Sequence, residues 1–208
     1  MHRFDQVFAA ARPLYPTDDP GHDLAHIERV LASCRRLGPP EGARLELLLA
    51  AAAVHDLVNV PKNHPDRPRA GELAAEKARP LLADAGFSSD EIAAIARAVA
   101  EHSFSRGARP SSVESAVLQD ADRLDALGAV GIMRCLSCGA LMGARYYDRA
   151  DPLARHRAPD DRAFSLDHFF VKLFKLPALM NTAAGRAEAE RRVAFMRTFV
   201  AQLATEIA

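Results

Sequence analysis

The residues that most invite chemistry are His55 and Asp56, which close the apolar run AAAVHDLV at positions 51–58. From Leu45 to Val54 only Glu46 is polar, so the segment predicts a helix through the middle of a core. A buried imidazole beside a buried carboxylate is costly unless both are paired, hydrogen-bonded or bound to a metal. Two segments of the same character flank the dyad. HDLAHIERV (His22 to Val30) lies upstream, and QDADRLDALGAVGI (Gln119 to Ile132) lies downstream. On a helix His22 and His26 share a face, with Arg29 one turn beyond. His55 and Asp56 diverge by about 100°, yet both can reach one ion placed between them. Downstream three carboxylates compete. Asp122 and Asp125 share a face, whereas Asp120 points about 200° away from Asp122. Gly128 and Gly131 would let another helix or a substrate approach closely. Two imidazoles and two carboxylates make a mixed nitrogen and oxygen donor set. It suits one divalent ion such as Mn, Fe, Co, Ni or Mg better than a metal that seeks thiolates, and it does not choose among these. Such an ion neutralises phosphate charge and acidifies a coordinated water, two separate contributions to hydrolysis.

The elements that must position these groups are helices. The periodicity is helical almost throughout, with no alternating strand. Helices are expected near 2–11, 22–37, 42–57, 70–84, 89–102, 112–126, 129–141, 165–176 and 185–206. Pro13, Pro16 and Pro20 separate the first two, and Gly38-Pro39-Pro40 ends the second. Ser88-Ser89-Asp90-Glu91 reads as a helix start, a hydroxyl cap before an acidic first turn. Asn59–Arg69 and Gly143–Ala163 are irregular, and long loops kept by a compact domain are often functional. The expectation is one all-α domain over residues 1–208, with a metal-site core at about 22–126 and C-terminal helices at 129–206 completing the pocket.

The chain has 208 residues, 49% hydrophobic and 26% charged, with zero formal net charge. That balance gives no global field for nucleic acid or an anionic membrane. No apolar run approaches the ~18 residues that span a bilayer, and Arg3 and Asp5 break any signal-peptide pattern. A cytoplasmic protein acting on a small molecule is expected. Cys34, Cys135 and Cys138 are too few and too placed within helical pattern for a disulfide framework or a zinc site, so buried apolar roles are expected.

Substrate-handling candidates cluster in three places. The loop NVPKNHPDR after the dyad carries Lys62, Asn63, His64 and Arg67: cations to clamp phosphate, and an imidazole able to transfer a proton near neutrality. IARAVAEHSFSRG ends a helix at His102. SLDHFFVKLFKLP sets His168, Lys172 and Lys175 at i, i+4 and i+7, one stripe of a helix, beside an apolar stripe of Phe169, Leu173 and Leu176. Only four of the 27 basic residues are lysines, Lys62, Lys77, Lys172 and Lys175, so two of the four fall on this stripe. Lys77 reads as helix surface.

The order His…His-Asp…Asp, with HDLAHIERV, VHDLVNVPKNHPDR, EHSFS, QDADRLDALGAVGI and DHFFVKLFKLP, resembles the HD-domain metal phosphohydrolases from His22 to about Arg197. Within that family it resembles the compact bacterial members that include Mn-dependent nucleoside triphosphate pyrophosphohydrolases. That resemblance implies an HD-domain helical bundle with His26, His55, Asp56 and Asp122 as metal ligands. Asp120 is the alternative fourth ligand, and Asp125 a pocket residue beside His22 and Asp23. It implies that His64 acts with Asp56 as a catalytic residue, that His102 lines the pocket, and that Arg123 reaches a phosphate. Arg69-Ala70-Gly71 departs from the Ser common in relatives. The implied activity is hydrolysis of (deoxy)nucleoside triphosphates to monophosphate and pyrophosphate. A nucleoside monophosphate phosphatase or signalling-nucleotide phosphodiesterase is the alternative within the class, and a non-catalytic metal or nucleotide sensor the alternative outside it.

Overall fold

A computed structural model describes residues 2–16, 23–58, 60, 67–103 and 107–207. His22, Lys62, Asn63 and His64 lie outside the described residues, as does the side chain of Arg67. The chain is all-α: among the described residues there is no strand, only an isolated bridge between Arg145 and Phe164. Two compact units appear, Met1–Asp122 and Arg123–Ala208.

The first unit is organised around α3 (Leu45–Val54), which packs against α1 (Arg3–Ala11), α2 (Leu24–Leu37), α4 (Ala70–Asp84) and α5 (Ser89–Glu101). Leu47 through Val54 are buried without exception, as expected for a helix apolar on every side. Its neighbours are pinned by local chemistry. Asp23 caps α2 by accepting from the His26 N–H at 2.9 Å. Ser88 and Glu91 form the expected reciprocal capping box at the start of α5. Arg3 bridges Glu91 of α5 at 2.7 Å and also holds Glu46 of α3. Tyr15, 6% exposed, donates its hydroxyl to the Ala53 carbonyl at 2.8 Å, which ties the last turn of α3 to the segment after α1.

Where α3 ends differs from expectation. The sequence predicts a helix to residue 57, but α3 stops at Val54 and His55 and Asp56 occupy the turn that follows. The reason is the imidazole, whose Nδ1 bonds back to the Ala52 carbonyl at 2.8 Å and so takes an acceptor at the helix end. The final helix of this unit, α6 (Val113–Leu124), carries Asp120 and Asp122.

The second unit contains α7 (Gly128–Leu141), α8 (Asp167–Val171), a 3₁₀ segment Leu173–Leu179 and α9 (Ala183–Glu206). Gly128 has φ +74°, and a Cβ there would lie 3.3 Å from Arg192 of α9. Glycine therefore permits the close approach of α9 that the sequence suggests.

Two elements of this unit depart from the sequence reading. The continuous helix 165–176 is broken at Lys172, at φ −130° and ψ −58°, after which the chain continues as 3₁₀ helix. Pro177 explains the change, since its ring disfavours α geometry in the preceding residues. The apolar stripe survives, with Phe169, Leu173 and Leu176 all buried. The regular stripe His168–Lys172–Lys175 does not: Lys172 is half-buried and Lys175 exposed on the two sides of the break. Cys135 and Cys138 lie in α7 as expected but are only half-buried, whereas Cys34 is fully buried.

Among the described residues, no single helix is long and apolar enough to cross a membrane. Replacing Tyr15 by Phe removes the bond that holds the end of α3 and leaves a buried carbonyl without it. The expected loss is about 1–2 kcal/mol in urea denaturation at an unchanged m-value. An unaltered midpoint would mean that the carbonyl is satisfied another way.

Candidate metal centre

The side chains of His26, His55, Asp56 and Asp122 converge where α2, the turn after α3, and α6 meet within the first unit. His26 Nε2 lies 3.3 Å from His55 Nε2 and 3.5 Å from Asp122 Oδ1. Asp56 Oδ2 is 3.6 Å from the first nitrogen and 3.7 Å from the second. Donor atoms about 2.1 Å from a shared centre stand about 3.0 Å apart at right angles and about 3.4 Å apart in a tetrahedron. The atoms of His26, His55 and Asp56 lie close enough to one another to hold one divalent ion with small adjustments, and Asp122 approaches the group from the His26 side.

Protonation is set for the same purpose. Because His55 Nδ1 donates to the Ala52 carbonyl, neutral His55 turns an unprotonated Nε2 toward His26. Burial pushes the His55 imidazole down to about 4, which keeps it neutral. For Asp56 burial acts upward, but the surrounding imidazoles of His55, His102 and His26 prevail and hold the carboxyl well below its usual range. A neutral imidazole and an ionised carboxylate are the forms that bind metals. Exposure is graded as well: both histidines are fully buried, while the Asp56 and Asp122 side chains are 16% and 25% exposed. The nitrogen donors form the dry floor and the carboxylates the rim.

His102 stands beside this cluster. Its Nδ1 donates to the Val99 carbonyl at 2.6 Å, and its Nε2 lies 3.4 Å from Asp56 Oδ1. Asp56 thus turns one oxygen to the histidine pair and the other to His102. Burial lowers the His102 pKa, but the Asp56 carboxylate outweighs it and the net shift is upward. Tyr15 feels the same charge, its pKa raised first by burial and then by Asp56.

The remaining candidates fall elsewhere. Asp23 caps the helix that carries His26, so it acts on that residue through the backbone. Asp120 is fully buried in α6, and it is Asp122, two residues on, whose carboxylate faces His26. Asp125 is buried in the second unit in an ion pair with Arg134. Arg123 donates to the Leu179 carbonyl at 2.7 Å. His168 is held by Asp161, with Nδ1 to Oδ2 at 2.8 Å.

Lys77 reads as plain surface in the sequence. It is exposed on α4, as that reading has it, and its ammonium also donates to the Leu57 carbonyl at 3.2 Å, bracing the turn that carries the dyad. Only the rarity of lysine in this chain hints at a special role. Asp161 gives no signal at all, since nothing in its local pattern pairs it with a histidine seven residues on.

The HD-domain family profile matches residues 23–127. The chain belongs to the HD-domain family. It is 33% identical to YpgQ of Bacillus subtilis over 211 residues, covering all of this chain and 95% of that protein. The crystal structure of YpgQ in complex with ADP superposes with a TM-score of 0.77 at 32% identity, over 98% of this chain and 94% of that one. An HD-superfamily hydrolase from Bacillus thuringiensis aligns at 30% identity and a TM-score of 0.76, covering 98% and 96%. A protein of Lactobacillus plantarum gives 34% and 0.76, covering 98% and 96%. The matched span takes in all four converging residues, and with them the chain is a metal-dependent hydrolase of the HD type.

The depressed pKa of His55 has a measurable consequence in metal-free protein. The unfolded chain binds a proton at about 6.5, and the folded state only near 4. The stability contribution is therefore whole above about pH 6.5 and lost as pH falls toward 4, on the order of 3 kcal/mol. Chelated wild type should lose Tm through this window more steeply than His55→Asn. Parallel curves for the two would show that His55 is not buried neutral.

Proposed function

We propose that this protein hydrolyses (deoxy)nucleoside triphosphates to the monophosphate and pyrophosphate, using one divalent metal ion, Mn with Mg, Co, Ni or Fe as alternatives. The observation that carries the reading is the convergence of two imidazole nitrogens and two carboxylate oxygens within 3.3–3.7 Å of their neighbours. In this reading His26, His55, Asp56 and Asp122 hold the ion. When bound, it supplies positive charge against the phosphate and acidifies a water. The chain's own residues do the rest. The two buried histidines exclude solvent from the floor of the cluster. Asp56, held ionised, orients the attacking water, whose proton passes to solvent once the bound ion has acidified it, and His102 holds its second oxygen. His64 then protonates the leaving group, and Lys62, Asn63, Arg67, Arg123, Lys172 and Lys175 bind phosphate, with His22 and Asp125 at the edge of the pocket. Positioning and charge supply most of the rate in such transfers.

Two further points support a polyanionic nucleotide. YpgQ, about one-third identical, has been crystallised with ADP. Charge is also divided along the chain: the first unit has 14 basic and 18 acidic residues, a formal −4, and the second 13 and 9, a formal +4. A formally basic unit is a surface suited to a polyanion. The engagement of Arg123 with the Leu179 carbonyl favours a second reading, a nucleoside monophosphate phosphatase, because it lowers the number of cations facing substrate. We place the protein in the cytoplasm, acting as one domain on a small phosphorylated substrate without nucleic acid or membrane.

Metal-stripped protein reloaded with Mn, Mg, Co or Ni and offered a nucleotide panel should release pyrophosphate from triphosphates. Orthophosphate from monophosphates as the main product would instead establish the second reading. His64→Ala should lower kcat about 10²-fold with metal still bound, as for a lost general acid, and full kcat across the pH range would remove His64 from the mechanism. The double change Lys172→Ala with Lys175→Ala should reduce triphosphate turnover by about 1.5–3 kcal/mol for each ammonium removed, and monophosphate binding far less. Equal effects on both would show that the lysines do not bind the outer phosphates.

A further inference from the structure

A further set of contacts bears on the metal centre through the connection between α5 and α6. Helix α5 ends at Glu101, and His102 follows as its C-cap. The last carbonyls of a helix have no amide partner within it and must find donors elsewhere. Val99 finds one in the His102 ring, whose Nδ1 donates to it at 2.6 Å. Glu101 finds one in Gln119 of α6, whose Nε2 donates to its carbonyl at 2.8 Å. The same nitrogen donates to the carbonyl of Ala108 at 3.0 Å. One carboxamide therefore clasps both ends of the connection that starts with His102. The Glu101 side chain is taken by the start of α6 as well: its Oε2 accepts from Ser115 Oγ at 2.6 Å and from the Ser111 N–H at 2.9 Å.

Gln119 is 1% exposed, and Ser115 is fully buried. A buried carboxamide stabilises little beyond an apolar side chain of its shape, because its hydrogen bonds replace bonds to water. What it adds is placement. Carbonyl oxygens only accept, and a carboxamide nitrogen carries two hydrogens, so Gln119 fits this pair of partners where Glu, Leu or Met would not. Its place on α6 gives that clasp a consequence. Asp122 stands about one turn further along the same helix, with Oδ1 3.5 Å from His26 Nε2. His102 stands next to the clasped Glu101, with Nε2 3.4 Å from Asp56 Oδ1. Asp56 Oδ2 in turn lies 3.6 Å and 3.7 Å from the two buried histidines. All of these residues belong to the first unit.

We propose that Gln119 is a positioning residue of the metal centre, holding His102 against Asp56 Oδ1 in register with Asp122. This rests on the metal-binding reading of the four-residue centre, while the clasp itself is a fact of the geometry. Gln119 touches neither the ion nor substrate. It acts through the backbone at Glu101 and then through His102, whose contact with Asp56 Oδ1 fixes the direction in which Oδ2 faces His26 and His55. Ligands oriented before the ion arrives bind it more tightly than ligands that must be ordered by it.

The test measures metal affinity and the His102 ring in the full chain. Mn affinity is read by competition with a coloured chelator in wild type, Gln119→Met, His102→Ala, the double variant and Ser88→Ala. Ser88→Ala removes the N-terminal cap of the same helix, and so weakens α5 at the end far from His102. Gln119→Met and His102→Ala should each bind Mn about 10-fold more weakly, whereas Ser88→Ala should bind as wild type does. The double variant should bind no more weakly than His102→Ala alone, because one residue acts through the other. In Mg-loaded, histidine-labelled protein, ring ¹H–¹⁵N signals of His102 are assigned by their loss in His102→Ala. They should move in Gln119→Met and stay in place in Ser88→Ala. Wild-type affinity in Gln119→Met or His102→Ala, an equal loss in Ser88→Ala, additive losses in the double variant or an unmoved His102 ring would each overturn the proposal. Should Gln119→Met fail to fold, Gln119→Asn, whose amide falls short of the two carbonyls, carries the same expectation. If wild type itself binds no Mn, the metal-binding reading fails, while the His102 ring in Gln119→Met still decides the clasp on its own.

Discussion

Two imidazole nitrogens facing each other 3.3 Å apart, with both rings fully buried, are the constraint around which the first unit is built. Without a cation or a shared proton, two inward lone pairs in a dry core repel and lose the hydration they would have in water. A divalent ion would resolve this, with the Asp56 carboxylate 3.6–3.7 Å from the two nitrogens, and Asp122 3.5 Å from His26, placed to offset its charge. The burial of α3 follows from the same need. A helix apolar on all sides can deliver an imidazole to the interior without bringing water with it, and Tyr15, Arg3 and Lys77 hold its two ends in place.

The same local device recurs at two helix ends. His55 bonds through Nδ1 to the carbonyl three residues before it, and so does His102, to Ala52 and Val99 respectively. In each case the backbone at a helix terminus, which lacks amide partners of its own, fixes the tautomer and turns Nε2 inward. Gly71 of α4 approaches the end of α5 where a Cβ would lie 3.0–3.1 Å from the carbonyls of Ala100 and Val99.

Much of this is legible in residue pattern alone. Helix periodicity locates α4 at Ala70–Asp84 as expected, and the apolar run ending in His55 and Asp56 marks the core helix. Residue types leave Asp120, Asp122 and Asp125 in competition; the placement of Asp122 Oδ1 near His26 Nε2 is a tertiary fact. What stays hidden has physical causes. The imidazole of His55 competes with the backbone and shortens α3, which no periodicity reveals. Pro177 breaks the lysine stripe, although its effect on preceding residues is open to inference. Lys77, Asp161 and Gln119 act across turns whose geometry depends on packing, so their partners cannot be read from spacing.

Anomalous diffraction from crystals of the protein loaded with Mn, recorded at the metal edge, tests the central claim most directly. One strong peak is expected within bonding distance of His26 Nε2, His55 Nε2, Asp56 and Asp122, at about 2.0–2.3 Å for each ligand. A peak bound by Asp120 in place of Asp122, or no peak between His26 and His55 at full metal loading, would contradict it.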